Sequence, residues 1–123
     1  MINSEDFNSI LNNEFSLVTI IDITEGDEEF KEITLKLIYE TLNKDILHLS
    51  SLISPLRIEL IKKFAHKIKP NFELIGLNSL FDLCHKLEHD QLSENEYKDL
   101  INLIYNSKPI VLGLLENKTT IVT

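Results

Sequence analysis

From Phe30 onward the apolar residues recur at intervals of three and four: Phe30, Ile33, Leu37, Ile38, Leu42, Ile46, Leu49 and Ile53. That is the period of an amphipathic helix, which turns roughly 100° per residue. Gly26-Asp27-Glu28-Glu29 precedes it with a turn signal and carboxylates that favour a helix start. A second stripe, Leu56, Leu60, Ile61, Phe64, Ile68, Phe72 and Ile75, predicts another helix. Ser54-Pro55 reads as its start, since a first-turn proline lacks only an N–H that the helix does not use. Pro70 lies inside it and cannot donate to the carbonyl of His66, so a bend or loosening is expected just after the histidine.

Gly76-Leu77-Asn78 offers a break, after which Leu80, Phe81, Leu83, Cys84 and Leu87 mark a third helix ending near Glu88 to His89. Ser93-Glu94-Asn95-Glu96 has the form of a capping box ahead of Tyr97, Leu100, Ile101, Ile104 and Tyr105, a fourth helix that Pro109 interrupts or ends. Nearer the N-terminus, Phe7, Ile10 and Leu11 suggest a short helix, while Phe15 to Ile23 reads equally as a buried turn of helix or a strand. Ile110 to Leu115 is apolar enough to pack on the bundle, and the polar, then β-branched end from Asn117 to Thr123 reads as a frayed tail or a strand. Short connections between four amphipathic helices predict an all-α fold: an antiparallel, up-and-down four-helix bundle with the N-terminal helix covering one end. The expected organisation is a single domain over residues 1–123, with an N-terminal cap at 1–25, the bundle at about 26–115 and a tail at 116–123.

The 123 residues suit one core, and 3 Gly, 3 Pro and 43% apolar residues describe a compact chain rather than a disordered one. A net charge of −8, from 20 acidic and 12 basic residues, opposes binding to nucleic acid or to an anionic membrane surface. Cys84 is the single cysteine, so no internal disulfide forms. The first residues lack a secretion-signal pattern and the apolar run Ile110 to Leu115 is too short to span a bilayer, which points to a cytoplasmic protein.

His66 carries the candidate chemistry, because it falls almost opposite the apolar stripe of its helix and is held in water. A neutral imidazole, with an ordinary pKa of about 6.5, keeps a lone pair on one ring nitrogen and accepts a phosphoryl group. Lys69, one turn along, is spaced to set its ammonium beside incoming phosphoryl oxygens. Lys67 is rotated away and is left a supporting electrostatic role.

His66, Lys69 and Gly76 resemble the His-x-x-Lys motif, with its later glycine, of the histidine-containing phosphotransfer domains of two-component phosphorelays. Gly26-Asp27-Glu28-Glu29-Phe30 is similar to that family's Gly-Asp-x-x-Phe helix start, and Leu83-Cys84-His85-Lys86-Leu87-Glu88 to a segment of the histidine-bearing domain of chemotaxis kinases. The likeness covers about residues 15 to 105. It implies that His66 takes a phosphoryl group from a receiver aspartate or a sensor kinase and passes it to a response-regulator receiver. By the same resemblance Glu88 holds Nδ1 of His66, leaving Nε2 as nucleophile, and His85 lines the site. It also implies a phosphocarrier rather than an enzyme, with no cofactor of its own and with Mg²⁺ supplied by the partner receiver domain.

Two departures bear on docking, for which Lys67, Pro70, Glu73 and Gly76 are the expected surface. Pro70 stands where the family usually has glycine, and Phe72 and Glu73 stand where small residues are common. Either the bend at Pro70 turns the Glu73 carboxylate aside, or the surface is tuned to a particular receiver. A competing reading is a helical adaptor that docks a receiver or kinase without carrying phosphate, and a third is one domain of a larger hybrid histidine kinase. Met1 fits a free-standing protein, and a monomer is expected. Cys84, His85 and His89 invite a metal reading, since His85 and His89 stand at i and i+4, but zinc takes three or four protein ligands and no second cluster is evident, so no metal is expected.

Overall fold

The computed structural model describes residues 3–117, which form six α-helices and, among those residues, no strand. They are α1 (Ser4–Glu14), α2 (Val18–Ile23), α3 (Glu28–Ser50), α4 (Ile58–Leu74), α5 (Asn78–His89) and α6 (Glu94–Asn117). The chain is a packed, all-α helical bundle. α3 lies against α4 and α6, α5 lies against the same two helices, and α1 packs on α6 and α5. Among the described residues no helix is long and apolar enough to cross a membrane.

Local capping accounts for three of the six helix starts. Asp27 caps α3 by accepting from the Phe30 N–H at 3.0 Å, and Asn3 caps α1 by accepting from Asp6 at 2.8 Å. At α6, Ser93 accepts from the Glu96 N–H at 3.1 Å while Glu96 accepts from the Ser93 N–H at 2.9 Å, the reciprocal pair of a capping box. α5 has Leu77 at its N-cap and no capping side chain there. Glu14, from the end of α1, supplies the acceptors instead, at 3.1 Å from the Ser79 N–H and 2.7 Å from its hydroxyl. The N-terminal segment is thereby fastened to the α4–α5 connection, and the Ser16 N–H adds a 3.0 Å bond to the Ile75 carbonyl.

Several expectations are corrected. Pro55 does not begin a helix. α3 closes at Ser50, the chain turns through residues 51–56, and α4 starts at Ile58, so Ile53 and Leu56 pack from the turn. Pro109 does not end α6, which runs on to Asn117. A mid-helix proline removes one donor, and both Pro109 and Tyr105, whose carbonyl loses it, are exposed to water. Pro70, as expected, lies inside a helix, which runs on to Leu74. The ambiguous segment from Phe15 to Ile23 contains the helix α2, and residues 116 and 117 belong to α6 rather than to a tail. The rest of the expected tail lies outside the described residues.

The core is filled by Leu35, Leu42, Leu49, Ile61, Ile68, Phe72, Ile101 and Ile104, among others. Its face on α3 is Leu35, Ile38, Leu42, Ile46 and Leu49. Phe30, Ile33 and Leu37, expected on that face, are exposed. The apolar stripe there is wider than the buried one, and packing uses only its inner edge. On α4, Ala65 takes a core position while Leu60 is exposed and Phe64 half-buried.

Candidate functional site

α4 and α5 form the most extensive helix pair in the molecule, and the site lies along their seam. Ala65 and Ile68 are buried on α4, as are Cys84 and Leu87 on α5, so the residues between them are set at fixed positions on the seam's rim. His66 points outward with 71% of its side chain exposed, while Nδ1 is hydrogen-bonded to Oε2 of Glu88. The partner is 22 residues away and reaches the ring only because α5 returns alongside α4.

Glu88 is the centre of the cluster. Its Oε1 accepts from Lys69 Nζ at 2.6 Å and lies 3.3 Å from Nε2 of His89. Burial pushes the Glu88 carboxyl up, but its hydrogen bonds with Lys69 and His66, reinforced by their charges, outweigh that and hold it below the usual glutamate range. An ionised carboxylate only accepts, so the proton of a neutral His66 resides on Nδ1 and the lone pair on Nε2. Among the described residues Nε2 has no hydrogen-bond partner.

Lys69 is tied down rather than free in solvent. Its side chain is 13% exposed, and besides Glu88 it lies 3.4 Å from Nδ1 of His85 and 5.5 Å from the centre of the Phe81 ring. As donor to His85 it places that ring's proton on Nε2, the opposite tautomer from His66. Cys84 sits beneath the pair, and burial pushes its thiol up to about 12, with Lys69 lowering and Glu88 raising it. It is a core thiol, not a nucleophile.

The structure therefore brings His66, Lys69, Glu88 and His85 together. The residues expected to form a docking surface fall in different settings. Glu73 and Pro70 are exposed on α4. Lys67 turns the other way, to Asp45 on α3, at 3.3 Å from Oδ2 and 3.5 Å from Oδ1, with Nζ 5.7 Å from the Phe64 ring. Gly76 has an intramolecular reason to be glycine: its φ is +77°, and a Cβ would stand 2.8 Å from the Glu14 carbonyl oxygen and 3.1 Å from the Ser16 nitrogen.

Sequence reasoning missed Asp45 and Phe81 as neighbours of this region and named His89 only as a possible metal partner of His85. Asp45 is buried, and although Lys67 lies within ion-pair distance of both oxygens, Oδ2 receives no well-directed hydrogen bond. Its signal was legible, because position 45 falls on the buried stripe with Leu42, Ile46 and Leu49, where a carboxylate is out of place. His48, which stacks on Phe64 at 4.2 Å, had no such signal. Comparison of the chain with family profiles, with curated proteins and with solved structures finds no match in any of the three.

Proposed function

We propose that this protein is a histidine phosphotransfer module in which His66 is the phosphoacceptor. The observation that carries the reading is the division of labour on one imidazole: Nδ1 is held by an ionised Glu88 and Nε2 is left open to water. In the proposed step Nε2 attacks the phosphorus of an acyl phosphate on a receiver aspartate. The Nε2–P bond forms, the P–O bond to the aspartate breaks, and the aspartate leaves as carboxylate. No proton has to move, because Nδ1 keeps its own and the positive charge gained by the ring is neutralised by Glu88. Transfer onward is the reverse step on another receiver.

Lys69 acts first through Glu88, fixing the carboxylate that fixes the ring. The Lys69 ammonium has three N–H donors, of which Glu88 and His85 take two, so that one is left for a phosphoryl oxygen. Mg²⁺ would come from the receiver, and this chain would supply the nucleophile and its positioning rather than turnover of its own. The finer fold goes with this reading: α3 to α6 as an antiparallel up-and-down four-helix bundle, α1 and α2 as its cap, the whole a cytoplasmic monomer that serves a sensor or hybrid kinase and its receivers. His85 lines the site, and Lys67, Pro70, Glu73 and Gly76 border the docking surface.

The test is to incubate the protein with phosphorylated receiver domains, and separately with phosphoramidate, and to map added phosphoryl by peptide mass at neutral pH. Acid-labile label on His66, absent in His66→Ala and transferable to a receiver, is the expected result. No label from any donor, with receiver binding retained, would establish the docking adaptor instead.

A further inference from the structure

His85, Glu88 and His89 are the part of this cluster that the phosphoacceptor reading does not use in full. They stand at i, i+3 and i+4 on α5, hence on one helix face. One nitrogen from each ring and one carboxylate oxygen all lie within 4.8 Å of one another, and the two rings are 4.5 Å apart between centres. Donors about 2.0–2.1 Å from a tetrahedral zinc ion are roughly 3.3 Å from each other. Both histidines are exposed, so rotation of their side chains closes the difference without disturbing the core.

A second observation shows that two of these donors, on Glu88 and His85, already hold a cation. The Lys69 ammonium sits among them, 2.6 Å from Oε1 of Glu88 and 3.4 Å from Nδ1 of His85, over the face of Phe81. A metal ion on the same oxygen and nitrogen cannot coexist with that ammonium. Glu88, however, has two oxygens, and Oε2 belongs to His66. Coordination through Oε1 thus expels Lys69 and leaves the Glu88–His66 bond in place, a carboxylate bridging metal and imidazole.

We propose that His85, Glu88 and His89 bind a transition-metal dication of the zinc type, in direct exchange with the Lys69 ammonium. Two imidazoles and one carboxylate select Zn²⁺, Co²⁺, Ni²⁺ or Cu²⁺ over Mg²⁺ and Ca²⁺, and solvent completes the coordination. The ion's arrival releases the Lys69 amine to solvent.

The experiment titrates Zn²⁺ into the full, unphosphorylated chain by calorimetry, with Co²⁺ absorption to report coordination geometry and circular dichroism to confirm that each variant is folded. One ion per chain is expected, weakened about tenfold or more in His85→Ala and in His89→Ala and tightened in Lys69→Met. Zn²⁺ should also speed acylation of Lys69 by an amine reagent, read by peptide mass. Affinity weaker than about 1 mM, binding indifferent to either histidine, or weaker binding in Lys69→Met would each overturn the proposal. Because no phosphoryl group is involved, this result is independent of whether His66 is a phosphoacceptor.

Discussion

α4 sends Lys69 across to Glu88 on α5 and Lys67 across to Asp45 on α3, so that a lysine–carboxylate pair stands on either side of His66. On the α5 side both partners are largely buried, and the carboxylate is shared by Lys69, His66 and His89. On the α3 side Asp45 is 3% exposed and Lys67 59% exposed, and one carboxylate oxygen lacks a directed hydrogen bond. A buried carboxylate is favourable only when its oxygens are satisfied, and a lysine in water returns little of the desolvation cost. The contrast separates a charge held in place for a neighbouring ring from a charge that the core merely tolerates.

The sharpest way to break that contrast is to neutralise each carboxylate in turn. Glu88→Gln should lower the rate of phosphoryl acceptance by about 10²-fold, the scale of a misplaced reacting group, whereas Asp45→Asn should leave it within about twofold. Equal losses in single-turnover transfer from a phosphorylated receiver would show that both pairs position His66. Next in size is the lysine comparison. Lys69→Met strips a charged hydrogen bond from a half-enclosed carboxylate and should destabilise the fold by about 1–3 kcal/mol in urea unfolding, while Lys67→Met should stay within about 0.5 kcal/mol.

Asp45→Leu sharpens the comparison from the other side. Filling a buried stripe position with an apolar side chain should raise stability by about 1 kcal/mol or more, read as a higher urea midpoint at unchanged slope. A loss there would mean that Asp45 is better satisfied than its geometry implies. The smallest effect is the pH dependence. Glu88 titrates below the ordinary glutamate range when folded, so its contribution is complete above the unfolded value of about 4.3 and is lost as pH falls through the lowered folded value. The stability gap between the wild type and Glu88→Gln should therefore shrink on acidification, and a gap that is flat with pH would remove Glu88 from the ion network.

Much of this was readable along the chain where the cause is local. Ser93 with Glu96 caps the helix it was expected to cap, α3 begins within the expected Gly26 to Glu29 signal, and α5 ends at His89 as its pattern implies. Prolines misled, because Pro109 looks like a stop, yet Tyr105, whose carbonyl loses its donor, is exposed and the helix continues. The stripe on α3 misled at Phe30, Ile33 and Leu37 for a different reason: periodicity identifies an apolar face without saying which neighbour covers it. At the site, the spacing of Lys69 from His66 is visible along the chain, but its bond to Glu88 is not.

By itself the sequence determined that the chain is helical, where three of the helices begin, and that His66 faces away from its own helix's apolar stripe. Those properties depend on contacts within one turn, three or four residues apart. Tertiary structure alone decided that α1 caps α5 through Glu14 and that Gly76 must be glycine against the Glu14 backbone. It also decided which carboxylate oxygen meets His66 and which meets Lys69. These depend on which helix lies beside which and at what height, quantities set by packing the whole core at once and written in no single stretch of residues.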